Sequence, residues 1–292
     1  MLPNSTKTVL ITGTSSGIGF ETALKLDELG YKVLATVRKE IDGEKLKEKA
    51  SKNLQIILLD VSKADQIENL PIQIKPLLEE NGLYALINNA GFNYVSPFEF
   101  TDQKLSRNMM EVNFFGAVYL AQAMIPSLRK YSQQTGEKSR IINISSIGGA
   151  ITLPWESFYH ASKFALLGIS ESLKFELFNQ NIAVSAVMPG GIRTPFFDKS
   201  DQVARQTLSN LPETGKQRYQ KNIEQMSKAV QAIYPLTTKT EVVANRIAKI
   251  LRVKNPKFKY LVGIDAKLIF VMTKFLPDWI RHGILQRFVS IK

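Results

Sequence analysis

The sequence predicts an α/β protein in which a doubly wound parallel sheet carries helices on both faces. Three observations support this. Apolar strand-like stretches alternate with helix-like ones from the N-terminus onward, several of these strands are nearly continuous in Ile, Leu and Val, and no linker, low-complexity segment or repeat divides the 292 residues. Continuous apolar strands are typical of parallel sheets, since both faces of such a sheet are covered. The alternation indicates the doubly wound arrangement, built as a single domain over residues 1–292.

The predicted elements follow one another closely through the first two thirds of the chain. The first strand, TVLIT, leads into a helix over 17–29, and a second long helix spans 102–130. A third helix follows the fifth strand and carries Tyr159 near its start. The strands are predicted at 8–12, 31–37, 54–60, 83–89, 140–145 and 182–189.

Residues 192–240 interrupt the alternation, because they are polar, prone to helix and contain no clear strand. Insertions of this kind in an α/β protein usually cover a binding site. We therefore expect 192–240 to form a helical lid over the substrate. Residues 264–292 form an apolar and basic C-terminal extension, in which Pro277 should separate two short helices.

This extension has two chemically different sides at helical spacing. Three interpretations remain open: the apolar side packs on the protein's own core, it forms a wall of a lipophilic substrate pocket, or it lies on an anionic membrane surface. We expect the extension to serve substrate access rather than cofactor binding. The polar side carries Lys267, Lys274, Asp278 and Arg281, and the apolar side carries Leu268, Ile269, Met272, Phe275, Leu276, Trp279 and Ile280.

The composition excludes several kinds of site. The chain has no cysteine, which excludes disulfides and thiolate chemistry, and its two histidines, His160 and His282, lie far apart in sequence. A zinc site built from cysteine and histidine is therefore not expected, and no metal is predicted. There is no apolar signal-peptide core and no apolar run of roughly eighteen residues, so a cytoplasmic protein fits the sequence best.

The net charge of +12 lies almost entirely in residues 201–292. A basic surface can attract nucleic acid, an anionic membrane or an anionic ligand, or it can simply be solvated. The sequence contains neither a basic motif with interleaved aromatic residues nor a zinc finger. Nucleic acid is therefore not expected as a partner, whereas peripheral membrane contact remains open.

A glycine-rich turn, TGTSSGIG at 12–19, lies between the first predicted strand and the first predicted helix. Glycine allows the backbone to approach a phosphate closely, and a helix N-terminus offers free N–H groups and the positive end of its dipole. In this position the turn predicts dinucleotide binding. The residues expected to contact the cofactor are Gly13, Ser15, Ser16, Gly17, Ile18 and Gly19.

The cofactor preference is predicted from the end of the second strand, ATVRKE. About 20 residues after the glycine-rich turn, NAD-binding units usually carry an acid that binds the adenosine ribose. Thr36 occupies that position here, and Arg38 and Lys39 follow it. A guanidinium binds a ribose phosphate through paired hydrogen bonds, whereas an acid repels it. We therefore predict NADP(H), bound mainly by Arg38, over NAD(H), and Asp60 could accept a hydrogen bond from the adenine amino group.

Two polar motifs, NNAG at 88–91 and NISS at 143–146, follow the fourth and fifth predicted strands. Ligands of open α/β sheets bind at the carboxyl ends of the strands. Gly13, Asp60, Asn88 and Ser146 should therefore line one crevice.

Tyr159 and Lys163 are four residues apart on the helix that follows Ser146, which places the phenol and the ammonium one above the other. This spacing is also common on the surfaces of ordinary amphipathic helices, so the pair alone is weak evidence for catalysis. His160 points about 100° away around the helix and is interpreted as structural.

Together these motifs resemble the short-chain dehydrogenase/reductase family. TGxxxGIG, NNAG, a helical Asn113, Ser146, the YxxxK of Tyr159 and Lys163, and PGGIRT occur in this order over 8–195. Any one of these motifs could arise by chance, but the ordered set is highly specific. A second and less specific similarity, to the retinol and hydroxysteroid dehydrogenases, rests on YLVGIDAK and LPDW near the C-terminus.

The resemblance implies a Rossmann-type fold and four catalytic residues. Tyr159 would exchange a proton with the substrate oxygen, while Lys163 would favour the phenolate and bind the nicotinamide ribose. Ser146, which the family spacing selects over Ser145, would hydrogen-bond the substrate oxygen. Asn113 would hold a water that connects Lys163 to solvent. The implied cofactor contacts beyond the glycine-rich turn, Arg38 and Asp60 are Val61, Asn89, Ala90, Gly91, Tyr159, Lys163, Pro189, Gly190, Ile192 and Thr194.

The resemblance also implies a substrate class, a lipophilic alcohol or ketone similar to a steroid or retinoid. A reductase of β-ketoacyl thioesters is the alternative enzyme, which a basic surface would suit. A dinucleotide sensor without catalytic activity is the alternative from another class, although it would be expected to lack the Tyr or the Lys. The family often assembles as homodimers or homotetramers through the two long helices around Asn113 and Tyr159, and we expect the same here.

Overall fold

A sheet of parallel strands runs through the centre of the molecule, with helices on both faces, which confirms the predicted fold class. The computed structural model describes residues 2–78, 80–193 and 200–288. Within these residues the strands are β1 (Thr8–Ile11), β2 (Lys32–Val37), β3 (Leu54–Leu58), β4 (Ala85–Asn88), β5 (Ser139–Ile144), β6 (Ile182–Pro189), β7 (Ile192–Arg193), β8 (Thr238–Lys239) and β9 (Lys259–Val262).

The main sheet has seven strands in the order β3-β2-β1-β4-β5-β6-β9, and every neighbouring pair is parallel. The chain builds outward from β1 in one direction as far as β3 and then in the other direction from β4. The strand order therefore reverses between β1 and β4. In open α/β sheets a crevice forms outside the carboxyl ends of the strands at this reversal.

The helices connect these strands and cover the sheet. They are α1 (Gly17–Glu28), α2 (Glu40–Lys47), α3 (Ala64–Ile74), α4 (Gln103–Met110), α5 (Gly116–Thr135), α6 (Ser157–Glu176), α7 (Ser200–Asn210), α8 (Glu213–Ile233), α9 (Thr240–Arg252), α10 (Ile264–Phe275) and α11 (Asp278–Phe288). A π-helical turn, Glu111–Phe115, joins α4 to α5.

Alternate residues of β1 face the two sides of the sheet, as the pleat requires. Val9 and Ile11 belong to one buried cluster, together with Leu26 of α1 and residues of α9. Leu10 belongs to the other buried cluster, together with Leu120 of α5 and residues of α3. Because both faces are covered, the strands are apolar throughout, which is the pattern that predicted a parallel sheet.

The structure differs from the sequence-based elements at the second predicted helix, at the edge of the sheet and in the segment 192–240, and it adds the helices α2, α3 and α9. The predicted helix 102–130 is divided by the π turn Glu111–Phe115 and continues to Thr135. Strand β9 was not predicted, because it has four residues, three of them only partly buried, and pairs with β6 alone. The segment 192–240, predicted to lack a clear strand, contains β7 and β8, which pair with each other over two residues.

The C-terminal extension forms two helices, α10 and α11, on either side of Pro277, as predicted. Its predicted apolar side is split in the structure. Ile269 packs inward, and Phe270, which belonged to neither predicted side, packs inward with it. Leu268, Phe275 and Trp279 are instead exposed. Within the described residues, no helix has both the length and the apolar composition needed to cross a bilayer.

Candidate active site

The glycine-rich turn and the NNAG segment form one hydrogen-bonded unit at the ends of β1 and β4. The Thr12 hydroxyl accepts hydrogen bonds from the backbone N–H groups of Asn89, at 2.9 Å, and Ala90, at 3.0 Å. The Asn89 amide donates to the carbonyls of Thr12 and Gly13, both at 2.9 Å. Gly13 has a φ of +69°, and a Cβ added there would lie 2.7 Å from the Cα of Ala90. Glycine is therefore required where the two motifs meet.

The start of α1 fits a dinucleotide phosphate. Ser16, the residue before the helix, makes no side-chain hydrogen bond to the first turn, and Ser15 and Ser16 are both exposed. The first N–H groups of an α-helix have no partner within the helix, and they bind anions well. Gly17 begins the helix, Ile18 is partly buried against the core, and Gly19 packs against the Gly13 carbonyl.

Thr36, at the position where NAD-binding units carry an acid, supports the glycine-rich turn. Its carbonyl accepts from the N–H and the hydroxyl of Thr14, both at 3.0 Å, and its hydroxyl accepts from the N–H of Gly13 at 3.4 Å. Thr36 is buried, whereas Arg38, just beyond β2, is exposed.

The residues after β3 are also positioned by local contacts. Asp60 Oδ1 accepts hydrogen bonds from the N–H and the hydroxyl of Ser62, at 3.0 and 2.7 Å. The buried Val61 faces the start of α5, where a Cβ added at Gly116 would lie 2.5 Å from the Val61 carbonyl oxygen.

Asn88, which we expected to line the crevice, instead joins elements of the core. Its side chain is buried and donates to the Ala117 carbonyl at 3.1 Å and to Asn143 Oδ1 at 2.9 Å. The side chain of a strand residue alternates between the two faces of the sheet. Asn88 therefore holds β4, β5 and α5 together, and the polar residues of the crevice begin at Asn89.

Ser146 and Tyr159 are brought together by the turn that follows β5. Their side chains are hydrogen-bonded to each other, and Ser146 Oγ also accepts from the N–H of Gly148 at 3.0 Å. The neighbouring Ser145 instead donates to the carbonyl of Lys163 at 3.2 Å. These contacts agree with the choice of Ser146 over Ser145.

Lys163 lies beneath this pair. Its ammonium donates to the Ile144 carbonyl at 3.0 Å and lies 5.8 Å from the centroid of the Tyr159 ring. A Cβ added at Gly91 would lie 3.5 Å from Lys163 Nζ and 3.1 Å from Asn113 Oδ1. The last residue of NNAG therefore lies beside two of the predicted catalytic side chains.

Asn113 sits in the π turn between α4 and α5. Its side chain accepts from the N–H of Phe92 and donates to the carbonyl of Phe92, both at 2.9 Å, and donates to Ser162 Oγ at 3.2 Å. Single π turns within helices often occur at functional sites. This turn directs Asn113 towards the loop after NNAG and towards α6.

The segment after β6 is held by β9 and by the C-terminal extension. The N–H of Gly190 donates to the Val262 carbonyl at 3.0 Å, and the N–H of Gly191 donates to Asp265 Oδ2 at 2.6 Å. A Cβ added at Gly190 would lie 2.1 Å from the same Asp265 oxygen. Pro189 and Ile192 are buried, and Thr194 lies outside the described residues.

Asp265 was not predicted to belong to the site. Its contacts reach residues more than seventy positions earlier in the chain, so nothing local in the sequence indicates them. The contact also means that the extension supports a predicted cofactor segment, which we had not expected.

Helices α7 and α8 pack over the loops on the substrate side of the crevice. The hydroxyl of Thr207 in α7 donates to the Val95 carbonyl at 2.8 Å. Met226 of α8 is buried with Trp155, Val95 and Leu153. The part of 192–240 that the structure describes therefore contacts both the loop after NNAG and the loop before α6.

The family model for short chain dehydrogenase matches residues 7–204. This chain belongs to that family. The assignment agrees with the sheet order, the glycine-rich turn and the Ser146–Tyr159–Lys163 arrangement. The protein is accordingly a nicotinamide-dependent oxidoreductase that acts on hydroxyl or keto groups.

Several short-chain dehydrogenases are similar to the whole chain. The 3-amino-tetrahydro-pyrrolizinone reductase of Xenorhabdus hominickii is 33% identical over 92% of this chain and 91% of its own length. The 3-ketodihydrosphingosine reductase of Bacteroides thetaiotaomicron is 33% identical over 97% and 98%. Mouse (Mus musculus) estradiol 17-beta-dehydrogenase 2 is 31% identical over 98% and 76%.

Solved structures agree with the fold. A short-chain dehydrogenase from Streptomyces avermitilis superposes with a TM-score of 0.75 at 24% identity, covering 97% of both chains. A 3-ketoacyl-(acyl-carrier-protein) reductase from Brucella melitensis, solved with NADH, superposes with a TM-score of 0.70 at 20% identity, covering 88% of this chain and 96% of its own.

The electrostatics of this short-chain dehydrogenase site are dominated by burial. Burial raises the pKa of Tyr159 to about 12, against the opposing effect of its hydrogen bond with Ser146, and Glu156 raises it further. Burial also lowers the pKa of Lys163 to about 8. The ammonium of Lys163 donates to the Ile144 carbonyl, and its predicted role of favouring the phenolate stays a prediction.

Glu156, Asn93 and His160 complete the site. Burial raises the pKa of Glu156 to about 7, against the opposing effect of a hydrogen bond with Asn93. His160 Nε2 accepts from the Leu153 N–H at 2.9 Å, so Nδ1 donates to the Gly148 carbonyl at 2.9 Å and the ring is neutral. Burial lowers the pKa of His160, which agrees with its structural interpretation. Within the described residues, no group of three or more acidic or histidine side chains could hold a metal.

Proposed function

We propose that this protein transfers hydride between NADP(H) and a lipophilic ketone or alcohol, with Tyr159 exchanging the proton. The observation that supports this most strongly is the hydrogen-bonded pair of Tyr159 and Ser146 above the buried ammonium of Lys163. A phenol, a hydroxyl and a cation converge there at the ends of β4 and β5. This arrangement suits protonation of a carbonyl oxygen.

Each residue of the site has a separate role in the proposed reaction. The nicotinamide cofactor, when bound, supplies or takes the hydride. Ser146 hydrogen-bonds the substrate oxygen, and Tyr159 donates its proton to that oxygen in reduction or removes it in oxidation. Lys163 binds the nicotinamide ribose and places a positive charge near the phenol, and Asn113 positions a water that exchanges protons with solvent. Burial keeps the phenol protonated at neutral pH, which is the form that donates a proton in reduction.

The proposed preference for NADP(H) rests on the end of β2. No carboxylate occupies the position of Thr36, and this buried side chain supports the glycine-rich turn. Arg38 is exposed two residues later, where its guanidinium can reach a ribose phosphate. Both features favour a phosphorylated adenosine ribose.

The proposed lipophilic substrate rests on the apolar groups beside Ser146. Ile147 and Ile151, between Ser146 and Tyr159, pack against Ala266, Ile269 and Phe270 of α10. This supports the interpretation in which the extension forms part of the pocket wall. The substrates named for the relatives, estradiol and an amino-substituted pyrrolizinone among them, are compatible with such a wall.

The outer side of α10 supports the proposed contact with an anionic membrane. Ile264, Leu268, Val271 and Phe275 recur at the spacing of one helical face, and their exposed fractions range from 53% to 77%. The neighbouring basic residues, among them Lys267 and Lys274, would add attraction to anionic lipid. Co-sedimentation with phosphatidylserine vesicles at low salt tests this contact, and a Leu268→Glu/Phe275→Glu variant should not co-sediment.

A homodimer or homotetramer through α5 and α6 is also proposed. Exposed aromatic side chains lie on these two long helices, at Tyr119, Phe164 and Phe175. Covering large exposed apolar side chains is a common reason for association. Light scattering after size-exclusion chromatography measures the assembly directly.

The experiment that tests the proposed function is a turnover panel with NADPH and NADH. It includes bulky ketones, small ketones and a β-ketoacyl thioester, the alternative substrate class. We expect the bulky ketones with NADPH to give the highest kcat/KM. Tight cofactor binding without turnover of any carbonyl would support the dinucleotide sensor, and preference for the thioester would support the alternative reductase.

A further inference from the structure

Glu156 is a mostly buried carboxylate next to the proposed proton donor. It precedes α6 directly and lies three residues before Tyr159, a spacing that places both on one side of the helix. Its side chain is only 18% exposed. The carboxyl is close enough to raise the pKa of the Tyr159 phenol. The hydride-transfer site therefore has an acidic side chain on its border.

The ordinary structural role for an acid at this position is to cap the helix, and Glu156 does not do so. Its side chain makes no hydrogen bond to the first turn of α6. Its polar partner is the Asn93 side chain, whose own Oδ1 is buried without a hydrogen-bond partner. The carboxyl therefore accepts from one neutral donor and does not cap the helix.

No cation of the described residues compensates this carboxylate. His160 Nε2 lies 3.7 Å away, but it already accepts a hydrogen bond from Leu153, and the ring is neutral. Lys163, on the same helix, donates to the Ile144 carbonyl. Burying an unpaired carboxylate is costly, and a positive charge beside it recovers that cost.

The surroundings of Glu156 place it on the substrate side. Trp155, the preceding residue, packs against Met226 of α8 and against Val95. Asn93 and Val95 both belong to the loop that follows NNAG. The carboxyl is therefore bordered by Tyr159 and by the loop that contacts α8, the side of the crevice on which we expect the substrate to extend from its reacting carbon.

We propose that Glu156 binds a protonated amino group of the substrate, close to the carbonyl or alcohol carbon on which Tyr159 acts. The substrate class is then an amino ketone or amino alcohol with an apolar remainder. This inference rests on the proposed function, since it uses the same site. The ammonium would donate a charge-assisted hydrogen bond to the carboxylate, one of the stronger polar contacts available in a protein.

Two matched probes test this inference. Dimethylaminomethyl hexyl ketone carries an amine beside the carbonyl, and isobutyl hexyl ketone has the same shape with CH in place of nitrogen. Binding of each probe to the protein saturated with NADP⁺ is followed through Trp155 fluorescence in a Trp279→Phe background. We expect the amine to bind at least tenfold more tightly than its isostere.

The Glu156→Gln variant should remove this preference, because it keeps the size of the side chain and loses the charge. Binding of isobutyl hexyl ketone should be unchanged. Glu171→Gln, an exposed acid on the same helix, is the matched control and should retain the preference. Equal binding of the two probes by the unmodified protein, or an amine preference that survives in Glu156→Gln, overturns the inference.

Turnover of the same probes with NADPH separates this inference from the proposed function. Amine-selective binding that depends on Glu156, with neither ketone reduced, would support the inference and contradict the proposed function. Reduction of both ketones with equal kcat/KM in the unmodified protein and in Glu156→Gln would contradict the inference and leave the proposed function standing.

Discussion

Residues 8–193 and residues 200–288 contribute to the site through different kinds of contact. In the first region, buried polar side chains join distant segments: Thr12 binds the NNAG backbone, Asn113 binds Phe92, and Lys163 binds Ile144. Near the site, the second region contributes apolar contacts, as at Met226 and Phe270, beside a small number of hydrogen bonds. Directional hydrogen bonds specify one geometry, whereas apolar contacts tolerate side chains of similar volume.

This difference suggests which part of the molecule can change its substrate. The family model ends at residue 204, so the shared pattern covers the first region and only the beginning of the second. The relatives carry the names of chemically different substrates. We infer that the first region keeps the proton and hydride chemistry, while the second provides variable apolar contacts that select the substrate, in addition to the polar contact proposed for Glu156 in the first region. Asp265 and Val262 are exceptions, because they lie in the second region and bind the backbone of a segment of the first.

Tyr159→Phe should have the largest effect in the first region. Loss of the phenolic proton should lower kcat by roughly 10²–10⁴, the range typical of general acid–base catalysis, with little change in cofactor affinity. Steady-state kinetics and cofactor fluorescence measure the two quantities. Tyr119→Phe, an exposed phenol on α5, should behave as the unmodified protein. A near-normal rate in Tyr159→Phe would remove Tyr159 from the mechanism.

The titration of Glu156 should make the free energy of unfolding depend on pH. The native protein holds its proton up to pH about 7, whereas an unfolded glutamate releases it near 4.5. The native state thus binds more protons in this window, and the free energy of unfolding falls as pH rises through it. Between pH 7 and 8 Tyr159 stays protonated and His160 stays neutral, whereas Lys163, with a pKa of about 8, titrates in the unmodified protein and in any Glu156 variant alike.

Glu156→Gln removes the energetic penalty of ionising this buried carboxyl. It should stabilise the protein by about 2–3 kcal/mol at pH 8, where the penalty is fully present, and by almost nothing near pH 4.5. Denaturant unfolding at the two pH values measures the difference. The same stabilisation at both pH values would show that the carboxyl does not titrate in this window.

Arg38→Ala tests the cofactor preference of the first region. Loss of a charge-assisted contact with phosphate costs about 1.5–3 kcal/mol, so the Kd of NADP(H) should rise roughly tenfold to a hundredfold. The Kd of NAD(H) should not change. Titration calorimetry with both cofactors distinguishes these results, and Lys45→Ala, an exposed cation on α2, provides the control. Equal losses for both cofactors would mean that Arg38 does not bind the ribose phosphate.

Asp265→Ala tests the contact by which the second region supports the segment after β6. Without its carboxylate the N–H of Gly191 loses its acceptor, and the segment after β6 should lose part of its order. We expect the Kd of either cofactor to rise about tenfold, the smallest of these changes. Asp278→Ala, an exposed acid of α11, should leave it unchanged. Normal cofactor affinity in Asp265→Ala would show that this contact does not support cofactor binding.

The sequence predicts one region much better than the other, for a physical reason. Motifs such as TGTSSGIG depend on local backbone requirements, so they can be recognised where they stand, as the contacts of Gly13 illustrate. The contacts of Glu156 and Asp265 depend on burial and on partners distant in sequence, so no local pattern predicts them. Strand β9 is short and lies at the edge of the sheet, so its apolar pattern is weak. The sequence identifies Thr36 only as the residue at the expected position of the acid, and its support of the glycine-rich turn depends on three-dimensional contacts.

Met226→Ala tests the division between the two regions most directly. Met226 packs with Trp155, Val95 and Leu153, all on the substrate side of the site. Its truncation should raise the KM of a bulky ketone several-fold and leave the Kd of NADP(H) unchanged. The measurement is the pair of constants in one variant, with folding verified by thermal unfolding. A higher Kd for NADP(H) with an unchanged KM would contradict the proposed division of roles between the two regions.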